Sequence, residues 1–459
     1  MIEKSLGRLR LLGMLALVAL SSVSVAQADT LRIASGVVGG KDADEMQLFE
    51  AALAEALGVS EVELVSVPTD YDQYIQTALR GGERFDLIYT TKPLMDVLVS
   101  QDALTPLGEF IEDSDILSDP AVIPSEEWEQ IRYPDGEVYS VFNKFEGGTM
   151  PTLRADWLEV LELDVPETPD EFYTVLKAFS EDDPDGNAQD DTYGLSSAGL
   201  YDLQPFFGAW GVKARYVVDE AGKRTLPYAS EAAIPAYEWL NRLYEEEIFD
   251  PNFVTNDTAA MRELFLADRV GMVTYWDAWV GLFNATRQAE DPDTEFMAQG
   301  VAGPVSDGGE RILRRGDPSV WVVPVNAPNP EGAKAFLEFW HTEPGILLGS
   351  AGIEGHDYTV AGDGARTLTE IGREHNLDHG VPRWYNTTVE APFGTLPGVE
   401  AAEEIVMEYS SLETSTADWP EAEAIVNDYA FRAITGELDA AEAVAQMHAE
   451  LMNAGLIDE

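Results

Sequence analysis

The sequence predicts an α/β protein built around a parallel sheet, and three observations carry that expectation. Strand-like and helix-like periods alternate as βαβαβ over residues 31–89. The composition is 45% hydrophobic and 10% aromatic, enough to fill a core. No internal repeat or low-complexity tether interrupts the 459 residues, a length that predicts more than one domain joined by several short passages.

The elements follow in order. Leu31-Arg32-Ile33-Ala34 is a short strand. Met46, Phe49, Leu53 and Leu57 recur at helical spacing, and Gly58 stops that helix. Val62–Val67 alternates as a second strand. Tyr71, Tyr74, Ile75 and Ala78 line another helix, ended by Gly81-Gly82, and Phe85–Tyr89 is a third strand. Ligands of such sheets bind beyond the carboxyl ends of the strands, which selects the loops after Ser35, Val67 and Tyr89. A second region begins near Pro151. There Thr168-Pro169-Asp170-Glu171 spells a capping box, and helices follow over 232–247 and 258–267. Val270–Val273 is a strand, Asn329-Pro330 opens a capped helix with Phe336, Leu337 and Trp340, and 440–456 is the last helix.

Residues 1–28 read as a secretory signal. Lys4, Arg8 and Arg10 precede an apolar run from Leu11 to Leu20, too short to span a bilayer, and Ala26-Gln27-Ala28 is the cleavage pattern. A mature chain from Asp29 has no later segment apolar enough to cross a membrane, so export to a periplasm is expected.

Charge excludes several classes. There are 84 acidic residues against 28 basic, a net charge of −56. Such a chain repels nucleic-acid phosphates and anionic lipid surfaces. With no cysteine, disulfides, thiol nucleophiles, Cys-ligated metals and cysteine-linked lipid anchors are excluded. Without the leader the balance becomes 83 acidic against 25 basic, an unusual self-repulsion that salt relieves, which points to a marine or halophilic source.

Several motifs fail. Gly36-Val37-Val38-Gly39-Gly40-Lys41-Asp42 has the wrong glycine spacing for a phosphate loop, and Asp42 stands where a magnesium-binding hydroxyl belongs. No G-x-S-x-G or H-E-x-x-H occurs. His375 and His379 could share a helical face, but their polar surroundings favour an exposed loop. The acidic loop is more specific. Asp183, Asp185, Asn187, Gln189 (through its carbonyl) and Asp191 fall at positions 1, 3, 5, 7 and 9 of a calcium loop, giving a hard cation its oxygens. Ala188 replaces the glycine of position 6, and Gly194 replaces the bidentate carboxylate of position 12, so Thr192, water or another segment must complete a structural Ca²⁺ site. Trp210, Tyr275, Trp276, Trp279, Trp384 and Tyr385 lie beside small or polar residues, as rings that cover the C–H faces of a pyranose would; core packing is the competing reading for each.

Five stretches together resemble the extracellular solute-binding proteins, family 1, of carbohydrate ABC importers. They are Tyr74–Tyr89 ending in FDLIY, DGEVYSV at 135–141, the long segment 153–195, FLADRVGM at 265–272, and 329–360 from NPEGAKAFLEFW to GIEGHDYTV. The long middle stretch is most similar to the oligosaccharide-binding branch that includes alginate-oligosaccharide binders, where the matching acidic loop holds calcium. The resemblance implies a non-enzymatic two-lobe fold of the type II-like periplasmic class, with a hinge and an interlobe cleft. It places lobe one at 29–147 plus 313–355 and lobe two at 148–312 plus 356–459. It implies ligand contacts at Tyr71, Lys92, Asn143, Glu146, Trp210, Trp276, Asp277, Glu354 and Trp384. Tyr71 and the tryptophans would stack, the acids accept, and Lys92 and Asn143 donate. Lys92, Lys144 and Arg383, cations in a chain that avoids them, suit an acidic sugar or a neighbouring carboxylate equally. The expected partners are an oligosaccharide and the permease subunits of an ABC importer, with no nucleic acid, no membrane insertion of the mature chain, and a monomeric state. A secreted hydrolase or lyase, or a binder of peptides, is the alternative.

The charge excess gives a first prediction. Raising salt from 0.1 to 1 M shortens screening from about 10 to about 3 Å, so the melting temperature should climb across that range in calorimetry. A protein most stable at low salt would refute the saline origin.

Overall fold

The computed structural model describes residues 30–35, 43–67, 70–133, 135–219, 222–377, 384–386, 388–389, 391–411, 413, 416 and 418–458. The leader, the Gly36–Asp42 loop, His379 and Arg383 lie outside them.

The first three strands form as expected: β1 (Thr30–Ser35), β2 (Glu61–Ser66) and β3 (Leu87–Thr91), with helices Ala43–Leu57 and Tyr71–Arg80 between them. β1 pairs parallel with both neighbours, and Leu31, Ile33, Ala34, Leu87 and Ile88 are buried, as strands covered on both faces require. β3 starts two residues later than the apolar run implies. Asp86 is diverted to a packing task, its carboxylate accepting the backbone N–H of Arg32 (2.8 Å) and Asn329 (2.6 Å). After β4 (Ser140–Phe142) the chain leaves this sheet through 143–147 and enters β5 (Gly148–Arg154).

Beyond β5 come β6 (Tyr193–Ser196), a small hairpin β7–β8 (Val217–Val218, Arg224–Thr225), β9 (Val270–Trp276), β10 (Ala298–Gly300) and β11 (Leu313–Arg315). A second passage at 316–318 leads back to β12 (Ser319–Val322). The hairpin β13–β14 (Tyr358–Val360, Arg366–Leu368) and β15 (Ser410–Ser411) complete the strands. One five-stranded sheet runs β2-β1-β3-β12-β4, and the other runs β15-β11-β5-β9-β6 with β10 added on β5. Each has its own apolar core. Phe142, Trp321, Phe336 and Trp340 belong to the first, and Phe172, Phe206, Phe207, Tyr228 and Tyr237 to the second. The capping box is present: Thr168 Oγ1 accepts from the Glu171 N–H, and the Glu171 carboxylate accepts from the Thr168 N–H.

Two expected lobe boundaries shift. The resemblance puts residues 313–315 in lobe one, but they pair with β5 and β15 of the second sheet, so the passage lies at 316–318. The resemblance puts the stretch after 355 wholly in lobe two. Instead Tyr385 packs on Phe142 and Phe145 (ring centroids 5.1 and 5.5 Å), and Asn386 donates to the His341 carbonyl at 3.1 Å. The return to the second sheet therefore follows Asn386 and precedes the helix Val399–Tyr409. The surroundings of His375, expected as a loop, are helical over Glu370–Leu377.

One ion pair ties the two sheets together. Arg315 at the end of β11 donates to Glu127 (3.2 and 3.3 Å) on the short helix Ser125–Gln130, and both side chains are 2% exposed. Tyr385 Oη donates to the same carboxylate at 2.8 Å, and the guanidinium lies over Phe145 at 4.4 Å. Removing one member of such a pair strands a buried charge. Arg315→Met should cost about 3–5 kcal/mol in denaturant unfolding, while the double variant Arg315→Met/Glu127→Leu recovers most of it. An undiminished single variant would show that the pair contributes nothing to the junction.

Candidate functional site

The registers converge on one edge. In the first sheet Ser319 pairs with Thr91 and Val320 with Phe142, so β12 begins where β1, β3 and β4 end. In the second, Trp276 pairs with Thr149 and Arg315 with Gly148, so β5 begins where β9 and β11 end, and β6 runs parallel to β9. Both sheets thus present strand carboxyl ends at the passages 143–147 and 316–318, the position where open α/β sheets bind ligands.

On the first-sheet side, Tyr71 opens its helix, and its hydroxyl lies 2.6 Å from the Tyr89 carbonyl and 3.1 Å from that of Ala34. This locks the ring onto the ends of β1 and β3, and burial raises its pKa. Tyr89, half-buried, is pushed up to about 12 by burial and by the Glu146 charge. Glu146 accepts a short hydrogen bond from Ser319 Oγ and lies 3.8 Å from Lys144 Nζ. The half-buried Trp276 ring closes on the second passage: a Cβ on Gly316 would stand 2.6 Å from its far edge, so a side chain there would displace the ring. Tyr71, Glu146 and Trp276 are thereby brought together, with Tyr89 and Ser319 added.

On the second-sheet side, the passage residue Asp317 accepts from both terminal nitrogens of Arg215, at 2.5 and 2.9 Å. Arg215 lies over Trp419 at 5.3 Å, Trp419 meets the Tyr201 and Tyr216 rings at 5.6 Å each, and Arg314 lies 5.7 Å over Tyr201. Glu413 accepts from the Ala214 N–H at 3.1 Å, and burial pushes its pKa up against the pull of Arg314. Burial likewise pushes Asp202 up to about 7, with Arg314 opposing.

The remaining expected residues lie outside that group. Lys92 is held by Asp96 (2.7 and 3.0 Å) beneath Tyr133. Asn143 Oδ1 accepts both the Trp321 and the Trp340 indole N–H at 2.9 Å, and its amide nitrogen donates to Ser319 Oγ at 3.4 Å, so it clamps two aromatics while reaching the edge of the site. Asp277 is wholly buried and caps the helix Ala278–Glu290. Trp384 packs edge-on against Trp340 (5.5 Å), and Trp210 packs on the second core. Glu354, exposed, bridges to Tyr358.

The acidic loop keeps part of a calcium loop's form. Ala188 takes φ +59°, the sharp left-handed turn for which position 6 carries glycine, and its N–H donates to the Asp183 carboxylate at 3.0 Å. The oxygens of Asp185 and Asp191 lie 2.7 and 3.2 Å from the Asn187 amide nitrogen, and Arg269 pairs with Asp191, lowering its pKa. Burial and the neighbouring Asp183 raise that of Asp185. Thr192 donates to the Phe179 carbonyl at 2.8 Å, and a side chain at Gly194 would strike the Leu176 carbonyl at 2.2 Å. Among the described residues no three acidic or imidazole groups converge on an ion-sized space. The donor chemistry fits calcium, but a cation would have to release Arg269 from Asp191 and turn the Asn187 amide.

The comparisons place this architecture. Residues 43–346 match the family described as bacterial extracellular solute-binding protein. The chain belongs to that family. It is 25% identical over 360 residues to lipoprotein LipO of Bacillus subtilis (strain 168), covering 74% of this chain and 70% of that one. It is 27% identical over 245 residues to the polygalacturonan/rhamnogalacturonan-binding protein YtcQ of the same organism, covering 51% and 48%. Among solved structures, alginate-binding protein AlgQ2 without calcium ion superposes with TM-score 0.66 at 20% identity, over 93% of this chain and 95% of that one. That likeness shows the two-lobe fold. Members of the family bind solutes; they are not enzymes. No described helix is long and apolar enough to cross a membrane.

Tyr89, Tyr201, Arg215, Arg314, Asp317 and Trp419 were not anticipated. One signal was available: Arg311, Arg314 and Arg315 fall within five residues of a chain that otherwise avoids cations. The Asp202 shift yields a prediction. Its folded pKa exceeds the unfolded value near 4, so stability is lost as pH rises from about 4 to 7 and stays lost above. Asp202→Asn should raise the melting temperature by a few degrees at pH 8, with a smaller gain at pH 5. Equal gains at both would refute the assignment.

Proposed function

We propose that this chain is the substrate-binding component of an ABC importer, exported through its leader to the periplasm, where it captures an oligosaccharide and delivers it to membrane permease subunits. The observation that carries this reading is the convergence of both sheets' strand carboxyl ends on the two passages, with Tyr89 and Trp276 as ring surfaces and Glu146 as acceptor beside them. An aromatic face suits the C–H side of a pyranose, and a carboxylate suits its hydroxyl rim. The polygalacturonan/rhamnogalacturonan-binding and alginate-binding names of two relatives support it. In this reading the lobes rotate about 143–147 and 316–318, and the sugar favours the closed form by touching both faces.

Calcium belongs to the same proposal. Asp183, Asp185, Asn187, Asp191 and the Gln189 carbonyl would hold the ion and stiffen the second lobe; the left-handed turn at Ala188 supports this.

Isothermal titration with neutral oligosaccharides, uronate oligomers and peptides tests the main reading. A saccharide should bind and be recovered unchanged, and Trp276→Ala should weaken it by at least tenfold. Peptide binding alone, or cleavage of the sugar, would contradict it. Chelator-treated protein should melt at a lower temperature than protein in millimolar CaCl₂; identical curves would remove calcium from the account.

A further inference from the structure

Among the described residues Arg314 forms no ion pair, although it lies over Tyr201 and its charge acts on Asp202 and Glu413. No carboxylate of a described residue pairs with it, and its Nε is enclosed without a hydrogen-bond partner. The residue as a whole is only half-buried, so the guanidinium's outer edge is the part that reaches solvent. The groups around it are equally unfinished. Tyr201 Oη and one carboxylate oxygen of Glu413 are also buried and unpartnered.

We propose that Arg314, over Tyr201 at the carboxyl end of β11, receives the carboxylate of a uronic acid residue, so that the captured oligosaccharide is anionic. This rests on the oligosaccharide reading and names the charge class of its ligand. The planar guanidinium matches a carboxylate in two parallel hydrogen bonds, a geometry no neutral hydroxyl reproduces. Tyr201 Oη and Glu413 remain for ring hydroxyls.

Four acids belong to the cluster around Tyr201 and Arg215, and two of them, Asp202 and Glu413, feel the Arg314 charge. Asp317 is consumed by both terminal nitrogens of Arg215, and Asp202 and Glu413 are buried carboxyls that hold their protons more tightly than usual. Glu423 acts electrostatically on Tyr201 and Arg215. None of the four forms an ion pair with Arg314, and an incoming carboxylate would. Strand alternation explains why this arginine is spare: Arg315 turns to the opposite face, into the junction with Glu127.

The test compares uronate trimers with their methyl esters, which keep the sugar and remove the charge. Titration uses the full mature chain, with Arg314→Gln and Arg314→Lys as variants and thermal melts to verify folding. Wild type should bind the free acid at least tenfold more tightly than the ester. Arg314→Gln should lose about ten- to a hundredfold for the acid and bind the ester as before, while Arg314→Lys falls between. Equal wild-type affinity for acid and ester, or a proportional loss of both in Arg314→Gln, would overturn the proposal while leaving oligosaccharide capture standing. Should Arg314→Gln not fold, the wild-type comparison and Arg314→Lys still decide. Failure of every saccharide, neutral or acidic, would overturn the capture reading itself, and this proposal with it.

Discussion

A guanidinium and a carboxylate shut away from water fix the geometry at the middle of this molecule. Arg315 closes β11 of one sheet, and Glu127 belongs to the other lobe. Desolvating both charges is costly, and the cost is offset only while the pair, Tyr385 and the Phe145 ring stay in register. That requirement pins the start of the 316–318 passage and aligns the carboxyl edges of both sheets. Aligned edges bring Trp276 of one lobe against Gly316, and Glu146 against Ser319, so the candidate site inherits its shape from a contact outside it.

Local elements were legible because their signals are local. The βαβαβ order, the Thr168 capping box and the Asn329 cap each depend on neighbours within four residues, and all formed. Lobe boundaries were less legible. Leu313-Arg314-Arg315 lacks an apolar strand pattern, and only its pairing with Gly148, Thr149 and β15 reveals it as part of the second sheet. Tyr385 likewise joins the first lobe through rings more than 200 positions away in sequence.

The site divides on the same principle. A tryptophan beside polar residues can be ligand surface or core, and sequence does not separate the two: Trp210, Trp276 and Trp384 are all half-buried against a core, and only the contact of Trp276 with Gly316 sets it at the passage. Asn143 reads as an exposed donor until two indoles converge on its oxygen. The abundance of acids hid the informative groups. Among 84 carboxylates, Asp317 becomes meaningful only when Arg215 is seen to hold it. That abundance also sets a physical tension, since an anionic sugar must approach a strongly negative protein. Screening by salt removes the long-range repulsion, and an arginine that no carboxylate of a described residue pairs with supplies the short-range attraction.

The central claim is that two lobes, linked at the 143–147 and 316–318 passages, close over a saccharide without altering it. Small-angle X-ray scattering of the mature chain, free and saturated with the tightest-binding oligosaccharide from titration, addresses it most directly. The account predicts a smaller radius of gyration with sugar bound and an intact saccharide afterwards. An unchanged radius at full occupancy would contradict it.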